Sequence, residues 1–282
     1  MSSRRTPRSR RRAGTVVHRV LVGVLLVYLL APFLWMALYS LFPASALQSL
    51  TPNLDPRLIT LGSYRRLLGD SSFLVPMAHS AIVGISTTVV CMVLGSGCAY
   101  VLARYRFPGR HTLLVGMLTV QAVPVIVLAV PLFVLLRAFG MYDTLPGLVV
   151  TYTAFILPLV VWMLVGFFQE VPPSLERAAV IDACSRLQIV WRIAVPLAAP
   201  GMAATAVLAF ITSWSDFFLA KVLTSGNAAT LPVRTAAFQG LFAMDYTAAA
   251  TAGVITAVPV LLLALVAQRW IIRGLVEGAV KG

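Results

Sequence analysis

Charge is scarce in this chain. Only 11% of its 282 residues are Asp, Glu, Lys or Arg, and just 9 are acidic. A soluble domain carries about a quarter charged residues. Lysine is nearly absent: Lys221 and Lys281 stand alone, and neither follows a glycine-rich turn. There is therefore no G-x-x-x-x-G-K-[ST] loop, which excludes ATP hydrolysis of that kind by this chain alone. Cys91, Cys98 and Cys184 are too few and too scattered for a disulfide scaffold or a zinc site, and read as small packing residues. His18, His79 and His111 lie far apart, near the ends of apolar blocks, and no H-E-x-x-H motif occurs. No apolar block holds a carboxylate pair, so a proton relay has little support. No clustered nucleophile, metal site or acid–base pair points to an enzyme.

What the chain has instead is apolar length. Hydrophobic residues make up 60% of it, gathered in long blocks that exclude an ordinary soluble fold. A bilayer crossing needs about 20 apolar residues. Six blocks qualify: Val20 to Phe42, Ser80 to Ala103, Thr112 to Leu136, one within Thr144 to Gln169, one starting near Ile193, and Tyr246 to Gln268. Backbone in lipid must satisfy its own hydrogen bonds, so the blocks read as helices. They lack the period-two alternation of an outer-membrane barrel. The expected fold is all-α, a polytopic membrane protein with six spans near 18–42, 77–103, 111–137, 145–169, 195–223 and 246–272. The first block resembles a signal peptide, with arginines before it and Ala44-Ser45-Ala46 after it. A signal core is about 7 to 15 residues; this longer block is expected to stay as an uncleaved helix.

The net charge of +13 could suggest nucleic acid, but most basic residues flank apolar blocks. With six spans, the two termini and the 2–3 and 4–5 loops share one side. That side carries 16 of the 22 Lys and Arg residues, against 6 opposite. The asymmetry predicts cytoplasmic termini. Residues 1–15, rich in Arg and Ser, are expected to be a disordered tail that lies on anionic lipid. Small residues recur every fourth position in the second span (Gly95, Ala99, Ala103) and the sixth (Ala249, Gly253, Ala257), which predicts a closely packed bundle. Pro124, Pro131 and Pro158 are expected to interrupt the third and fourth spans. Asp216, in Trp214-Ser215-Asp216-Phe217, is an acid within the fifth block and hence a functional candidate. The alternative is a structural place near the external end of that span, paired with Arg234 or a partner subunit.

The 4–5 loop, residues 170–194, is the most informative stretch. Pro172-Pro173 stops the preceding helix, Ser174 is a plausible N-cap, and Glu176 falls in the first turn, where negative charge suits the helix dipole. Leu175, Ala178, Ala179 and Asp182 share one helical face, small in the middle and polar at its ends, able to press into a groove of another protein. The bland alternative is a short helix lying at the headgroups.

The segment Arg177-Ala178-Ala179-Val180-Ile181-Asp182-Ala183-Cys184, followed by Ile193-Ala194-Val195-Pro196, resembles the coupling loop of permease subunits of binding-protein-dependent ABC importers. That loop reads roughly E-A-A-x-x-D-G-A. Leu61-Gly62-Ser63-Tyr64, Arg104-Tyr105-Arg106-Phe107-Pro108-Gly109, Pro131-Leu132-Phe133, Gly140-Met141-Tyr142-Asp143-Thr144, Trp214-Ser215-Asp216-Phe217 and Thr230-Leu231-Pro232-Val233 extend the resemblance over residues 16–282, and are most like the carbohydrate, maltose-transporter branch. Three positions depart: Arg177 stands at the motif's first Glu, with Glu176 beside it, and Ala183-Cys184 replaces Gly-Ala. Ala183 in a left-handed turn costs about 1 kcal/mol.

The resemblance implies a type I ABC importer permease fold in the bacterial inner membrane, forming half of a pore for a sugar or sugar-derived solute. It implies no cofactor on this chain, with ATP and Mg held by a partner. It further implies three partners: a second permease forming a heterodimer, a cytoplasmic ATPase dimer, and an extracytoplasmic solute-binding protein met by residues 43–76 and 224–245. Leu175, Glu176, Arg177, Ala178, Ala179, Asp182 and Ala183 are then the ATPase-coupling residues, and Trp214, Asp216 and Phe217 the candidates for pathway or external gate. A stand-alone secondary transporter built around Asp216, or an ABC permease for phosphate, polyamine or peptide, is the alternative; no role with nucleic acid is expected.

Overall fold

The computed structural model describes residues 8–47, 52–238 and 245–279, with side chains for 18–47, 52–238 and 245–268. Among these residues the chain is helical and forms no strand. In order come α1 (Arg8–Ser40), α2 (Ala44–Leu47), a 3-10 turn (Pro56–Leu58), α3 (Gly62–Leu68), α4 (Ser71–Arg104), α5 (Arg110–Gln121) and α6 (Val125–Ala138). Then follow α7 (Leu145–Glu170), α8 (Pro173–Ile181), α9 (Arg186–Ile189), a π turn (Val190–Ala194), α10 (Val195–Ser215), α11 (Phe218–Leu223), α12 (Leu231–Ala236) and α13 (Tyr246–Ala279). Among the described residues, five stretches are long and apolar enough to cross a membrane: His18–Ser40, Ser71–Arg104, Leu145–Glu170, Arg186–Ser215 and Tyr246–Gln268. Helix α1 reaches back to Arg8, into the tail expected to be disordered; Arg is a good helix former and no proline lies between Arg8 and Thr15. Residues 1–7 lie outside the described part.

The chain divides into two compact units, one of residues up to Leu67 with Phe238–Ile255, the other of Leu68–Ala237 with the residues from Thr256 on. In the first, Met36 lies against Gly253, where a Cβ would come within 2.7 Å of its sulfur. The Ser40 and Tyr64 hydroxyls share a hydrogen bond of 2.7 Å, and Arg66 pairs with Asp245 at 2.9 Å.

The second unit is built on α4, α7 and α10. Lipid tails are as apolar as leucine, so these helices associate by close packing rather than by escape from water. Gly95 supplies the approach predicted for it: a Cβ there would lie 2.8 Å from Val160. Ala99, Cys91, Leu164 and Phe168 are fully buried at the same seam. The contacts run in step along both helices: Cys91 to Thr153, Gly95 to Val160, Tyr100 to Phe168, Arg104 to Val171. Helices α4 and α7 are therefore parallel. Helix α10 runs against them, with Phe210 over Gly84 and Gly201 under Phe167.

That parallel register decides how the intervening chain runs. Helices α5 and α6 meet at a bend of 91°. Two parallel spans need a crossing between them, so α5 and α6 together form one broken span, the third of six, and not a re-entrant loop. Of the prolines expected to interrupt spans, Pro124 stands at this break, whereas Pro131 and Pro158 sit inside continuous helices. The fifth span ends at Ser215, short of the expected 223. The chain turns extended at Asp216, whose carboxylate accepts the Ala220 N–H at 3.1 Å and starts α11 afresh. At the other boundary α4 begins at Ser71, earlier than expected, because Asp70 caps it through the Ser72 N–H at 2.8 Å.

Candidate functional site

The loop after α7 folds from its own local chemistry. Pro172 is extended and Pro173 takes the first helical position, where its missing N–H is no loss. Ser174 is thus one residue inside α8 and does not cap it, contrary to the sequence expectation. At the far end Asp182 is the C-cap and Ala183 follows with φ 56°. The Cys184 N–H reaches the Ala179 carbonyl at 2.9 Å and the Ala183 N–H reaches that of Val180 at 3.1 Å. These two bonds make a Schellman turn, which usually has glycine where Ala183 stands. Ser185 then opens α9 with a capping box: its Oγ accepts the Gln188 N–H, and Gln188 Oε1 accepts the Ser185 N–H. The junction into α10 is a π turn, in which the Val195 N–H reaches back to Val190. Pro196 follows and offers no N–H.

The orientation of α8 corrects one expectation. Leu175, Ala178 and Asp182 share an exposed face, but Ala179 is buried at 5%. At about 100° per residue Ala179 falls between Leu175 and Glu176, and it follows Glu176 inward. The outward surface is completed by Arg177, Val180 and Ile181, the last 85% exposed. Ala183 is exposed at the turn.

Glu176 faces the bundle. Its Oε1 accepts from Arg104 Nε and lies equally close to Nη2, both at 2.7 Å; its Oε2 accepts from the Tyr100 hydroxyl at 3.0 Å. Arg104 also donates from Nη2 to the Val171 carbonyl at 2.8 Å. The two charged side chains are 12% and 13% exposed, so this is a largely enclosed pair with both carboxylate oxygens and two guanidinium nitrogens engaged. Sequence reading singled out Glu176 but missed Arg104 and Tyr100, which stand two spans earlier in the chain.

At the opposite end of the same unit lie the residues read as pathway or gate candidates. Trp214 is buried at 4%, stacks on Phe210, and donates its Nε1–H to the Thr256 carbonyl at 3.1 Å. Asp216 accepts the Tyr152 hydroxyl at 2.8 Å. The pairing with Arg234 offered as one alternative is not formed; Arg234 donates to the Ser72 hydroxyl at 2.8 Å. Phe217 is 42% exposed.

Nearby is a feature the sequence did not flag. Asp143, with φ 55°, accepts from the N–H groups of Ser225, Gly226, Asn227 and Ala228, from the Ser225 hydroxyl and from the Asn227 side chain. Burial alone would raise its carboxyl, but these donors outweigh that and hold it well below the usual carboxylate range. On the neighbouring α4, Ser80 Oγ accepts the Leu231 N–H at 2.8 Å, and the His79 ring lies 3.1 Å from the Ala229 carbonyl. Segment 224–234 is thereby pinned at several points. Among the described residues no three His, Cys, Asp or Glu side chains are grouped to hold a metal.

The chain is 39% identical over 270 residues to the trehalose transport system permease protein SugB of Mycobacterium tuberculosis, covering 95% of this chain and 96% of that protein. It is 33% identical to the trehalose/maltose transport system permease protein MalG of Thermococcus litoralis, covering 95% of this chain and 98% of that one. It is 34% identical to the diacetylchitobiose uptake system permease protein NgcG of Streptomyces coelicolor, covering 97% and 91%. In three dimensions it matches a chain from the crystal structure of a bacterial ABC transporter involved in the import of the acidic polysaccharide alginate, with TM-score 0.75, 24% identity, and coverage of 95% of this chain and 99% of that one. That likeness shows the type I importer permease fold. The family model for the binding-protein-dependent transport system inner membrane component matches residues 91–277. With that match and these relatives, the chain belongs to the family of binding-protein-dependent transport system inner membrane components.

Proposed function

We infer that this chain is the permease subunit of an ATP-driven importer of a sugar or sugar-derived solute. It forms half of the pore beside a second permease, most simply as a heterodimer. The observation that carries the reading is α8: a short helix, capped at its C-terminal end and held at its base, that presents Leu175, Ala178 and the exposed Ile181 outward. A helix of this kind suits a cleft on a separate ATPase, which would hold ATP and Mg while this chain binds no cofactor. Trehalose, maltose and diacetylchitobiose permeases among the relatives support a sugar as cargo. A second alginate importer match is a complex with a pentasaccharide-bound periplasmic protein, which supports a solute-binding partner at the Asp143 end. The basic-residue asymmetry supports an inner-membrane orientation with α8 and both termini cytoplasmic.

The test is assembly followed by transport. Co-expressed with its candidate ATPase and second permease, the chain should purify with stoichiometric ATPase. Ile181→Asp should abolish that while insertion stays normal. The complex in liposomes, given binding protein, should take up labelled disaccharide only with ATP. Uptake by the chain alone, driven by an ion gradient with no ATPase present, would overturn the reading.

A further inference from the structure

Helix α8 is joined to the rest of its unit in three places, and only two follow from its own sequence. One is covalent, through Pro172-Pro173 to α7. Another is the run of Schellman turn, capping box and π turn leading to α10. The third is Arg104, the last residue of α4, which grips Glu176 and the Val171 carbonyl together.

We propose that Arg104 is the positioning residue that makes α8 and the bundle move as one body, and that Tyr100 supports it. The proposal rests on the permease reading above. A proline pair has fixed φ but free ψ, so with the chain alone on the α7 side α8 can pivot about residues 171–173. The guanidinium prevents this because it bonds the turn before α8 (Val171) and the first turn of α8 (Glu176) at once. A planar fork with several donors in fixed directions suits that task better than an ammonium on a flexible stem. The pair is enclosed, so water competes poorly for it. Tyr100 takes the remaining carboxylate oxygen, and its ring packs edge-on against Phe168 of α7 at 5.8 Å. A force applied to the outer face of α8 thereby reaches α4 and α7 as well as α10. Glu176 faces inward, so its part is in this grip and not in contact with the ATPase; Arg177 is the charge at the start of α8 that is left facing outward.

Recognition and transmission separate under this scheme, and the experiment reads them separately. Arg104→Gln is compared with wild type in the complete complex in liposomes, with binding protein and solute. ATPase should co-purify at wild-type stoichiometry, since Leu175, Ala178 and Ile181 are untouched, and hydrolysis without solute should be unchanged. Solute-stimulated hydrolysis should fall about tenfold, and solute moved per ATP should fall with it; tenfold corresponds to about 1.4 kcal/mol of lost coupling. Arg104→Lys should give an intermediate value, because a single, strongly hydrated ammonium on a flexible stem replaces the fixed Nε and Nη2 donors. The exchange Arg104→Glu with Glu176→Arg should recover part of the ratio. Tyr100→Phe, which keeps the ring on Phe168, covers the case in which Arg104 variants fail to fold; it should lower the ratio by about twofold to threefold. A wild-type transport ratio in either Arg104→Gln or Tyr100→Phe would overturn the proposal, as would loss of ATPase binding in folded Arg104→Gln. Failure of wild type itself to show ATP-dependent uptake would instead strike at the permease reading.

Discussion

Replacing Asp143 by alanine should release segment 225–228 while leaving the α4–α7–α10 packing intact. The carboxylate satisfies four successive backbone N–H groups, a hydroxyl and an amide, all within 3.3 Å. A net intramolecular hydrogen bond contributes about 0.5–1.5 kcal/mol. The four backbone bonds alone would then sum to roughly 2–6 kcal/mol. The segment is largely exposed, so water re-solvates the freed N–H groups, and the low end applies: about 2–3 kcal/mol. Hydrogen exchange reads this directly. Amide protection over residues 225–228 should fall about 30- to 150-fold, with that of α4 and α7 unchanged. Asp143→Asn keeps one acceptor oxygen and should lose about half the free energy. The pH dependence carries an independent check. The folded carboxyl lies below its ordinary value of 3.8. A depressed carboxylate contributes stability that is present above the unfolded pKa and is lost as pH falls through the folded one. Protection corrected for intrinsic exchange should therefore be flat from about pH 8 to pH 5 and decline only in stronger acid. Unchanged protection in Asp143→Ala, or a loss titrating near neutrality, would refute the reasoning.

Other perturbations have equally definite outcomes. Ala183→Gly relieves a left-handed alanine and should stabilise the α8 turn by about 1 kcal/mol, read as slower exchange at the Cys184 amide. Gly201→Ala would drive a methyl into the Phe167 ring, so the detergent-solubilised protein should melt several degrees lower, consistent with about 1–3 kcal/mol of overpacking. Gly147→Ala should be tolerated less well still, because the obstruction is the Met141 backbone carbonyl. Tyr152→Phe leaves Asp216 without its hydroxyl donor and should lower the melting temperature while ATPase co-purification persists; loss of assembly would show that this joint reaches farther than its contacts imply.

The spans were legible because lipid enforces a simple rule: charges end them, and helices are the form their backbone must take. The α8 turn was legible too, since a helix stop, a first-turn acid and a left-handed position are all local signals. What escaped is everything that depends on a partner far along the chain. Glu176 faces inward because Arg104 waits there, and Asp216 bonds Tyr152 although Arg234 was nearer in sequence and opposite in charge. Asp143 stood in a matched segment but gave no warning of its role, since most of its donors are backbone amides, which any sequence supplies. Prolines show the same limit: Pro124 stands at a break while Pro131 and Pro158 are absorbed, and only the surrounding packing tells them apart.

The right angle between α5 and α6 carries a consequence for hydration. Helix α5 has 12 residues and α6 has 14, or about 18 and 21 Å of rise, so neither limb alone spans a hydrocarbon core of about 30 Å. The break consequently falls at membrane depth. There Ala122 and Val123 turn back onto the Thr119 and Val120 carbonyls, the Gln121 carbonyl and the first N–H groups of α6 are left without helical partners, and Gln121, Ala122 and Val123 are exposed on this chain. Each such group left bare to lipid costs several kcal/mol, and irregular backbone persists at that depth only against protein or water. The bend thus keeps a patch of peptide thirsty inside the bilayer, and whatever lies beside it in the assembled protein must be wet or able to hydrogen-bond.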